Sequence, residues 1–216
     1  MAYPITFFTI STDVVLFSIR NERLEVLLVK RQGEIWKLPG GSLAVNEDLD
    51  ASALRHLHEQ AGLRGVYLEQ LYTFGQPDRT PKNRIISVAY YALVPLQQLC
   101  LCGSSTDEKP CWFTMDNTLP ASPDHSEIIA MAHRRLAAKL SYSTIALQFM
   151  PKRFTLSALQ SVYEIILGET LDKRNFRKRV LSMGCIETTG EFSREGNHRP
   201  ARLYRVKNPG KVEFIK

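Results

Sequence analysis

Long hydrophobic runs are missing from this chain. None of its 216 residues belongs to an apolar stretch long enough to span a bilayer, so no membrane-crossing helix is expected. Cysteine is sparse. Cys100, Cys102, Cys111 and Cys185 form no Cys-x-x-Cys pair and no regular framework, so they read as reduced thiols and not as a disulfide scaffold. The N-terminal MAYPITFFTISTDVV has neither a basic segment nor a small-residue cleavage site, and does not read as a signal peptide. A cytoplasmic protein is the expectation. Acid is scarce in one part of the chain only. Residues 1–150 carry 14 Lys/Arg against 15 Asp/Glu, whereas residues 151–216 carry 14 against 7. An almost neutral body with a strongly basic tail points to a polyanionic partner for the tail.

What is present is ample for a core. Hydrophobic residues make up 44% of the chain, and its length suits one large domain or two small ones. Asp13–Ser18 and Leu24–Lys30 read as strands joined through Asn21-Glu22, and Tyr67–Phe74 and Ile85–Val94 as two more. A polar, Pro-punctuated loop, residues 75–84, lies between the last two. Asp124 or Ser126 is a candidate cap for a helix over Glu127–Leu140, with Ile128, Met131, Ala132 and Leu136 on one side. His125 and His133 read as surface or helix-end residues. Pro151-Lys-Arg153 then separates a body of residues 1–150 from a tail of residues 151–216.

The segment Gly41–Leu63, GSLAVNEDLDASALRHLHEQAGL, carries the most chemistry. Gly41, Glu47 and the run Arg55-His56-Leu57-His58-Glu59-Gln60-Ala61-Gly62-Leu63 match the spacing of the Nudix box, Gly-x5-Glu-x7-Arg-Glu-apolar-x-Glu-Glu-x-Gly-apolar. The segment therefore resembles a Nudix loop-helix, spanning a helix from about Asp48 to Ala61. His56 and Gln60 stand where the family has glutamates. Residues at i, i+3 and i+4 share a helix face, so His56, Glu59 and Gln60 are expected on one side. In an active Nudix enzyme that side holds Mg²⁺, a hard cation that favours carboxylate oxygens over imidazole or amide ligands. Here Glu59 alone remains on the helix, with Glu47 nearby and Arg55 able to orient it. The expectation is a pocket that binds a nucleoside diphosphate compound without cleaving it. It has no catalytic residue and no cofactor, and its Mg²⁺ affinity is weak or absent. The strand leading through Arg31 and Trp36 into the Gly40-Gly41 turn, together with Arg55 and Glu59, forms the candidate ligand site. The tract Phe74-Gly-Gln-Pro-Asp-Arg79…Arg84-Ile-Ile-Ser-Val-Ala-Tyr90 is similar to the ADP-ribose type of Nudix domain. That similarity makes Arg31, Arg79 and Arg84 candidates for pyrophosphate contact.

The tail has its own pattern. Thr155 is a good N-cap for Leu156–Leu167, whose Leu156, Leu159, Val162, Tyr163, Ile166 and Leu167 follow a helical stripe that Gly168 can end. Asp172 can cap a second helix, Lys173–Met183, closed by Gly184. Phe176, Val180 and Met183 share its apolar side, and Lys173, Arg174, Arg177 and Lys178 the opposite arc. Leu181 falls on that basic arc and Arg179 flanks the apolar side. Two helices joined by a short turn, then a hairpin of Ile186–Phe192 and Ala201–Val206 with a tip at residues 193–200, make a winged helix-turn-helix. Its candidate DNA contacts are Lys173, Arg174, Asn175, Arg177 and Lys178 on the second helix and Arg194, His198, Arg199 and Arg202 near the tip.

The whole arrangement is α+β: a Nudix α/β/α sandwich over residues 1–150, followed by a winged helix-turn-helix domain over residues 151–216. Together with the tail FTLSALQSVYEIILGETLDKRNFRKRVLSMGCIETTG…HRPARLYRV, it resembles the Nudix-related transcriptional regulators (NrtR). The resemblance implies a homodimeric bacterial repressor of genes for NAD synthesis or salvage. It would be cytoplasmic and nucleoid-associated, would bind a palindromic double-stranded operator, and would be released by ADP-ribose. Two other readings stay open: an ADP-ribose pyrophosphatase using Glu47 and Glu59 with the tail as an accessory, and a ligand-gated protein-interaction module.

Overall fold

A computed structural model describes residues 8–30, 35–77, 79, 84–98, 110–115, 119–193 and 200–215. The chain forms two compact units, one of Met1–Phe17, Val26–Leu93 and Cys100–Ala132, the other of Ser18–Glu25, Val94–Leu99 and His133–Lys216. Among the described residues no helix is long and apolar enough to cross a membrane.

The first unit is built on a mixed sheet, of which only the hairpin end Ser18–Glu25 counts with the second unit. Its strands are β1 (Thr9–Arg20), β2 (Arg23–Lys30), β3 (Trp36–Lys37), β4 (Gly40–Ser42), β5 (Tyr67–Phe74), β6 (Ile85–Leu93) and β7 (Pro110–Thr114). The order is β3-β2-β1-β6-β5, with β4 on β1 and β7 on β2. β1 and β6 run parallel, Thr9 opposite Ile85 through Phe17 opposite Leu93. Both are buried on both faces: residues 11–18 of β1 and 87–93 of β6 are buried, apolar over Val14–Phe17 and Val88–Leu93, with the polar Ser11, Thr12, Asp13, Ser18 and Ser87 buried beside them. Asn21 and Glu22 take the left-handed backbone (φ 47° and 59°) that a two-residue hairpin turn needs. The helix α1 (Leu49–Ala61) is bounded as its sequence suggests. Asp48 caps it by accepting the Ala51 amide at 2.7 Å, and Gly62, at φ 69°, ends it in the left-handed region. The very short β3 and β4 carry no pattern long enough to mark them in the sequence.

One expectation needs correction. The helix expected from Glu127 begins at Pro123 and runs as α2 (Pro123–Lys139), so neither Asp124 nor Ser126 is its cap. Proline's fixed φ suits the first helical position, where its missing N–H costs nothing. The extra turn places Asp124 and His125 inside the helix.

The second unit holds a short 3-10 turn (Ile145–Phe149), β8 (Phe154–Thr155), α3 (Leu156–Leu167), α4 (Lys173–Ser182), β9 (Ile186–Ser193) and β10 (Ala201–Val206). Thr155 caps α3 by accepting the Ala158 amide, and Gly168 ends it at φ 71°. The turn into α4 is fixed by side chains. Glu164 accepts the Leu171 amide at 2.8 Å, and the Gln160 amide bonds both Glu164 and the Leu171 carbonyl at 2.9 Å. Tyr163 and Phe176 meet edge to face, ring centres 5.2 Å apart, to lock α3 on α4. The sheet order β8-β10-β9 gives β10 two antiparallel neighbours; β8, only two residues long, has no sequence signal of its own.

Gly40 supplies a stability test. A Cβ there would lie 2.4 Å from the Thr12 carbonyl oxygen and 2.9 Å from Asp13 Cα, both backbone atoms that cannot step aside. Gly40→Ala is expected to lower stability by about 1–3 kcal/mol, read as a shift of the urea midpoint. Gly75→Ala, with nothing within 4 Å of its Cβ, should stay within about 0.5 kcal/mol of the parent. Equal midpoints for the two variants would contradict the crowding at Gly40.

Candidate functional site

The Gly40-Gly41 turn and α1 are stitched together by the two residues that replace the box glutamates. The Gln60 side chain accepts the Gly40 N–H and donates to the Gly40 carbonyl, each at 3.0 Å. A primary amide can satisfy both backbone groups; a carboxylate, which only accepts, would leave the carbonyl facing like charge. His56 is buried, and a Cβ on Gly41 would meet its ring at 2.7 Å, so the ring fills the space beside the turn. Burial, followed by the neighbouring Arg55 charge, pushes the His56 pKa down.

Arg55 gathers the acid that remains. Its Nε and Nη2 donate to the two Glu47 oxygens at 2.9 and 2.6 Å, and its Nη1 donates to Glu59 at 3.2 Å. Those bonds, with the Ala44 amide on the same carboxylate, hold Glu47 down at about 2. Arg55 is pushed up in turn, first by its bond to Glu47. Its terminal nitrogens also lie 3.5 and 3.4 Å from the two His56 ring nitrogens.

The shared face expected for His56, Glu59 and Gln60 is therefore split. His56 and Gln60, four apart, point inward, while Glu59 is about half exposed and held by Arg55. These residues do not fit a Mg²⁺ site of the Nudix kind. Two of the three helix carboxylates are absent, and the two box glutamates that remain share one guanidinium. Among the described residues no group of three or more His, Cys, Asp or Glu is disposed to hold a metal ion.

A second cluster lies on the other side of the Gly40 turn and has little sequence signature. Asp13, opposite Gly40 in the β1–β4 pairing, is buried and accepts from Ser87 Oγ and, at 3.2 Å, from Arg79. Arg79 also lies 3.4 Å from Asp124, and its own side chain is only 6% exposed. His125 Nδ1 accepts the Leu38 amide at 2.8 Å, which puts the proton of the neutral ring on Nε2, 3.6 Å from Asp124 and 4.0 Å from Asp13. Burial pushes the His125 pKa down against the pull of those carboxylates. His125, expected at the surface or a helix end, lies in the first turn of α2 and is buried there as part of this cluster. Its partner Leu38 lies 87 positions away, beyond the reach of any local pattern.

The other ligand candidates divide. Trp36 is half-buried, edge-on to Phe113 at 4.8 Å, with Lys30 5.9 Å from its ring centre. Arg84 lies 5.7 Å from the Phe8 ring. Arg79 Nε and Arg84 Nη1 are buried and unpartnered among the described residues. Arg31 lies outside the described residues. The structure joins α1 to the Gly40-Gly41 turn through Gln60 on Gly40, His56 beside Gly41 and Arg55 on the Ser42 carbonyl at 3.4 Å, with Glu59 held by Arg55, and links Arg79 to the turn through Asp13.

In the second unit α4 presents the expected basic face. Lys173, Arg174, Asn175, Arg177 and Lys178 are all exposed, and Phe176 and Val180 are buried. Among the described residues Arg174, Arg177 and Lys178 make no ion pair, whereas Arg153 pairs with Glu191 and Arg205 with Glu187. Arg179 is anchored, donating to the carbonyls of Leu140 and Ser141 at 2.8 Å each. Arg202 is exposed on β10 opposite Phe192. Arg194, His198 and Arg199 lie outside the described residues.

Comparison with known proteins matches both units. Residues 10–132 match the NUDIX domain, and residues 146–206 match the NrtR DNA-binding winged helix domain. The ADPR responsive transcriptional repressor NtrR of Acinetobacter baylyi is 36% identical over 213 residues, covering 94% of this chain and 83% of that protein. Shewanella oneidensis NrtR in complex with a 27mer DNA superposes with a TM-score of 0.81 at 32% identity, covering 92% of this chain and 93% of that one. The NUDIX domain of the same protein in complex with ADP ribose covers 61% of this chain and 90% of its own, with a TM-score of 0.54 at 30% identity. A Nudix unit whose box has lost two carboxylates, joined to a winged helix with an exposed basic face, matches these proteins along almost its whole length: the chain belongs to the NrtR family of Nudix-related transcriptional regulators.

Proposed function

We propose that the protein is a transcriptional repressor that binds a palindromic operator as a homodimer and is released from it by ADP-ribose, governing genes of NAD synthesis or salvage. The observation that carries this reading is the exposed basic face of α4, where Arg174, Arg177 and Lys178 make no ion pair among the described residues, in a chain whose Nudix unit has its remaining box acid tied to Arg55. Free cations on a helix that fits a major groove give salt-dependent affinity for phosphates, and Arg, Lys and Asn175 can read base edges. The names of the relatives support the same effector and the same partner. A repressor of this kind works where the DNA is, in the cytoplasm.

The pocket that takes ADP-ribose is the one around the Gly40-Gly41 turn. Arg79 Nε and Arg84 Nη1 are the donors available to its diphosphate, with Arg31, Trp36 and Glu59 as further contacts. On this reading the site has no resident metal and does not hydrolyse its ligand, because His56 and Gln60 serve the turn and Arg55 ties up both Glu47 and Glu59. Release follows from linkage. ADP-ribose shifts the population only by its difference in affinity between the bound and released shapes, and operator DNA weakens ADP-ribose binding by the same factor.

Duplexes selected from a random double-stranded pool should converge on a two-fold-symmetric site that ADP-ribose elutes. Half-sites should lie about one helical turn, 34–36 Å, apart or a multiple of it. Lys173→Ala with Arg177→Ala should weaken binding across all sequences and reduce the salt slope by about 2. Absence of enrichment at low salt would sink the DNA-binding reading in favour of an enzyme or a protein-docking module. ADP-ribose hydrolysis tests the disabled box. AMP release by the wild type with Mg²⁺ should be far slower than by the His56→Glu, Gln60→Glu variant, and equal rates in a variant that melts cooperatively would refute it. Gln60→Glu alone is expected to cost about 1–3 kcal/mol of stability, because it sets a carboxylate against the Gly40 carbonyl.

A further inference from the structure

One apolar side chain stands among the cations of α4. Leu181 is 50% exposed. It follows Arg174 by seven residues, Arg177 by four and Lys178 by three, so the four share one stripe of the helix. The core of the unit is served from the other side of α4, by the buried Phe176 and Val180. At 1.5 Å per residue Leu181 lies about 10 Å along the axis from Arg174, a span of about three base pairs. A surface facing a polyanion gains nothing electrostatically from a leucine. The major groove offers such a side chain one apolar feature, the 5-methyl group of thymine, and a leucine carries no donor or acceptor for any other base edge.

We propose that Leu181 is a specificity-determining residue that packs on a thymine methyl in the major groove, beside the contacts of Arg177 and Lys178. The inference rests on the DNA-binding reading above and adds the chemistry of one position in each half-site. Arg174, Arg177 and Lys178 supply phosphate and base-edge hydrogen bonds, and Leu181 supplies the contact that distinguishes thymine from a base without the methyl. Removing one buried methyl from this contact corresponds to a change of about fourfold in affinity.

The test uses the full-length protein and the duplex it enriches from a random pool. Each enriched thymine is replaced in turn by deoxyuridine, which deletes the methyl and leaves base pairing intact. For the wild type, one replacement per half-site should weaken binding about fourfold. For Leu181→Ala the same replacement should make no difference, and a fresh selection should lose its thymine preference there. If every deoxyuridine replacement acts equally on wild type and Leu181→Ala, the inference fails while the repressor reading stands. If no duplex is enriched by the wild type at all, both fail together. Leu181→Met, apolar and similar in volume, should keep the methyl sensitivity, separating contact from a general defect in folding.

Discussion

The first unit depends on a glycine with no room for anything else. Gly40 sits where β4 meets β1, under the Thr12 carbonyl and beside Asp13, and both of its backbone polar groups are taken by Gln60 from α1. From that point two clusters extend. One runs through α1 to His56, Arg55, Glu47 and Glu59; the other runs through Asp13 to Ser87, Arg79, Asp124 and His125. A change at Gly40 would therefore reach both clusters, one through α1 and one through β1. That is the physical reason for a side-chain amide at position 60. A group that both donates and accepts bonds the Gly40 N–H and the Gly40 carbonyl at once in a buried place.

The same substitutions decide the electrostatics. With glutamates at 56 and 60 the turn would face four box carboxylates and one Arg55, an arrangement that calls for a divalent cation. With His56 neutral and buried and Gln60 bonded to backbone, two carboxylates face one guanidinium that forms three hydrogen bonds to them. That leaves one net negative charge where the full box would leave three, a weaker attraction for a divalent cation. Removing two carboxylates and keeping the shape of the turn are thus two effects of one pair of residues.

Much of this was legible in the sequence because it is local. Asp48, Thr155 and Asp172 cap helices by bonding an amide three residues on, and Gly62 and Gly168 end helices by taking a left-handed backbone; both rules operate within one helical turn. The basic face of α4 follows from the same periodicity. The three-residue strand β4 and the two-residue β3 and β8 are too short to show a period. The start of α2 is ambiguous in the sequence because several acceptable caps stand close together, whereas its first helical residue is Pro123. The Asp13–Arg79–Asp124–His125 cluster was missed for a deeper reason. It assembles from β1, the loop before β6 and α2, and no spacing rule relates residues brought together by a sheet.

Arginine shows where counting charge stops being informative. Arg177 and Arg179 are two positions apart, and composition scores them alike. Arg177 lies on the exposed arc with no ion pair among the described residues. Arg179, about 200° further around the helix, turns back and bonds the carbonyls of Leu140 and Ser141. In the first unit Arg55 and Arg79 are committed to carboxylates in the same way. A guanidinium has five donors in a fixed plane, so it serves equally well as an internal tie and as a contact for phosphate, and its surroundings decide which. Partly tied arginines such as Arg79 can do both: the ion pair fixes the plane and leaves Nε, buried and unpartnered among the described residues, aimed by the protein. A donor held in that way loses no side-chain freedom when an anion arrives, which favours a tied arginine over a free one in a ligand pocket. At the α4 face the reasoning reverses. A helix that must slide along DNA before finding its site gains from mobile cations, whose phosphate contacts do not depend on sequence.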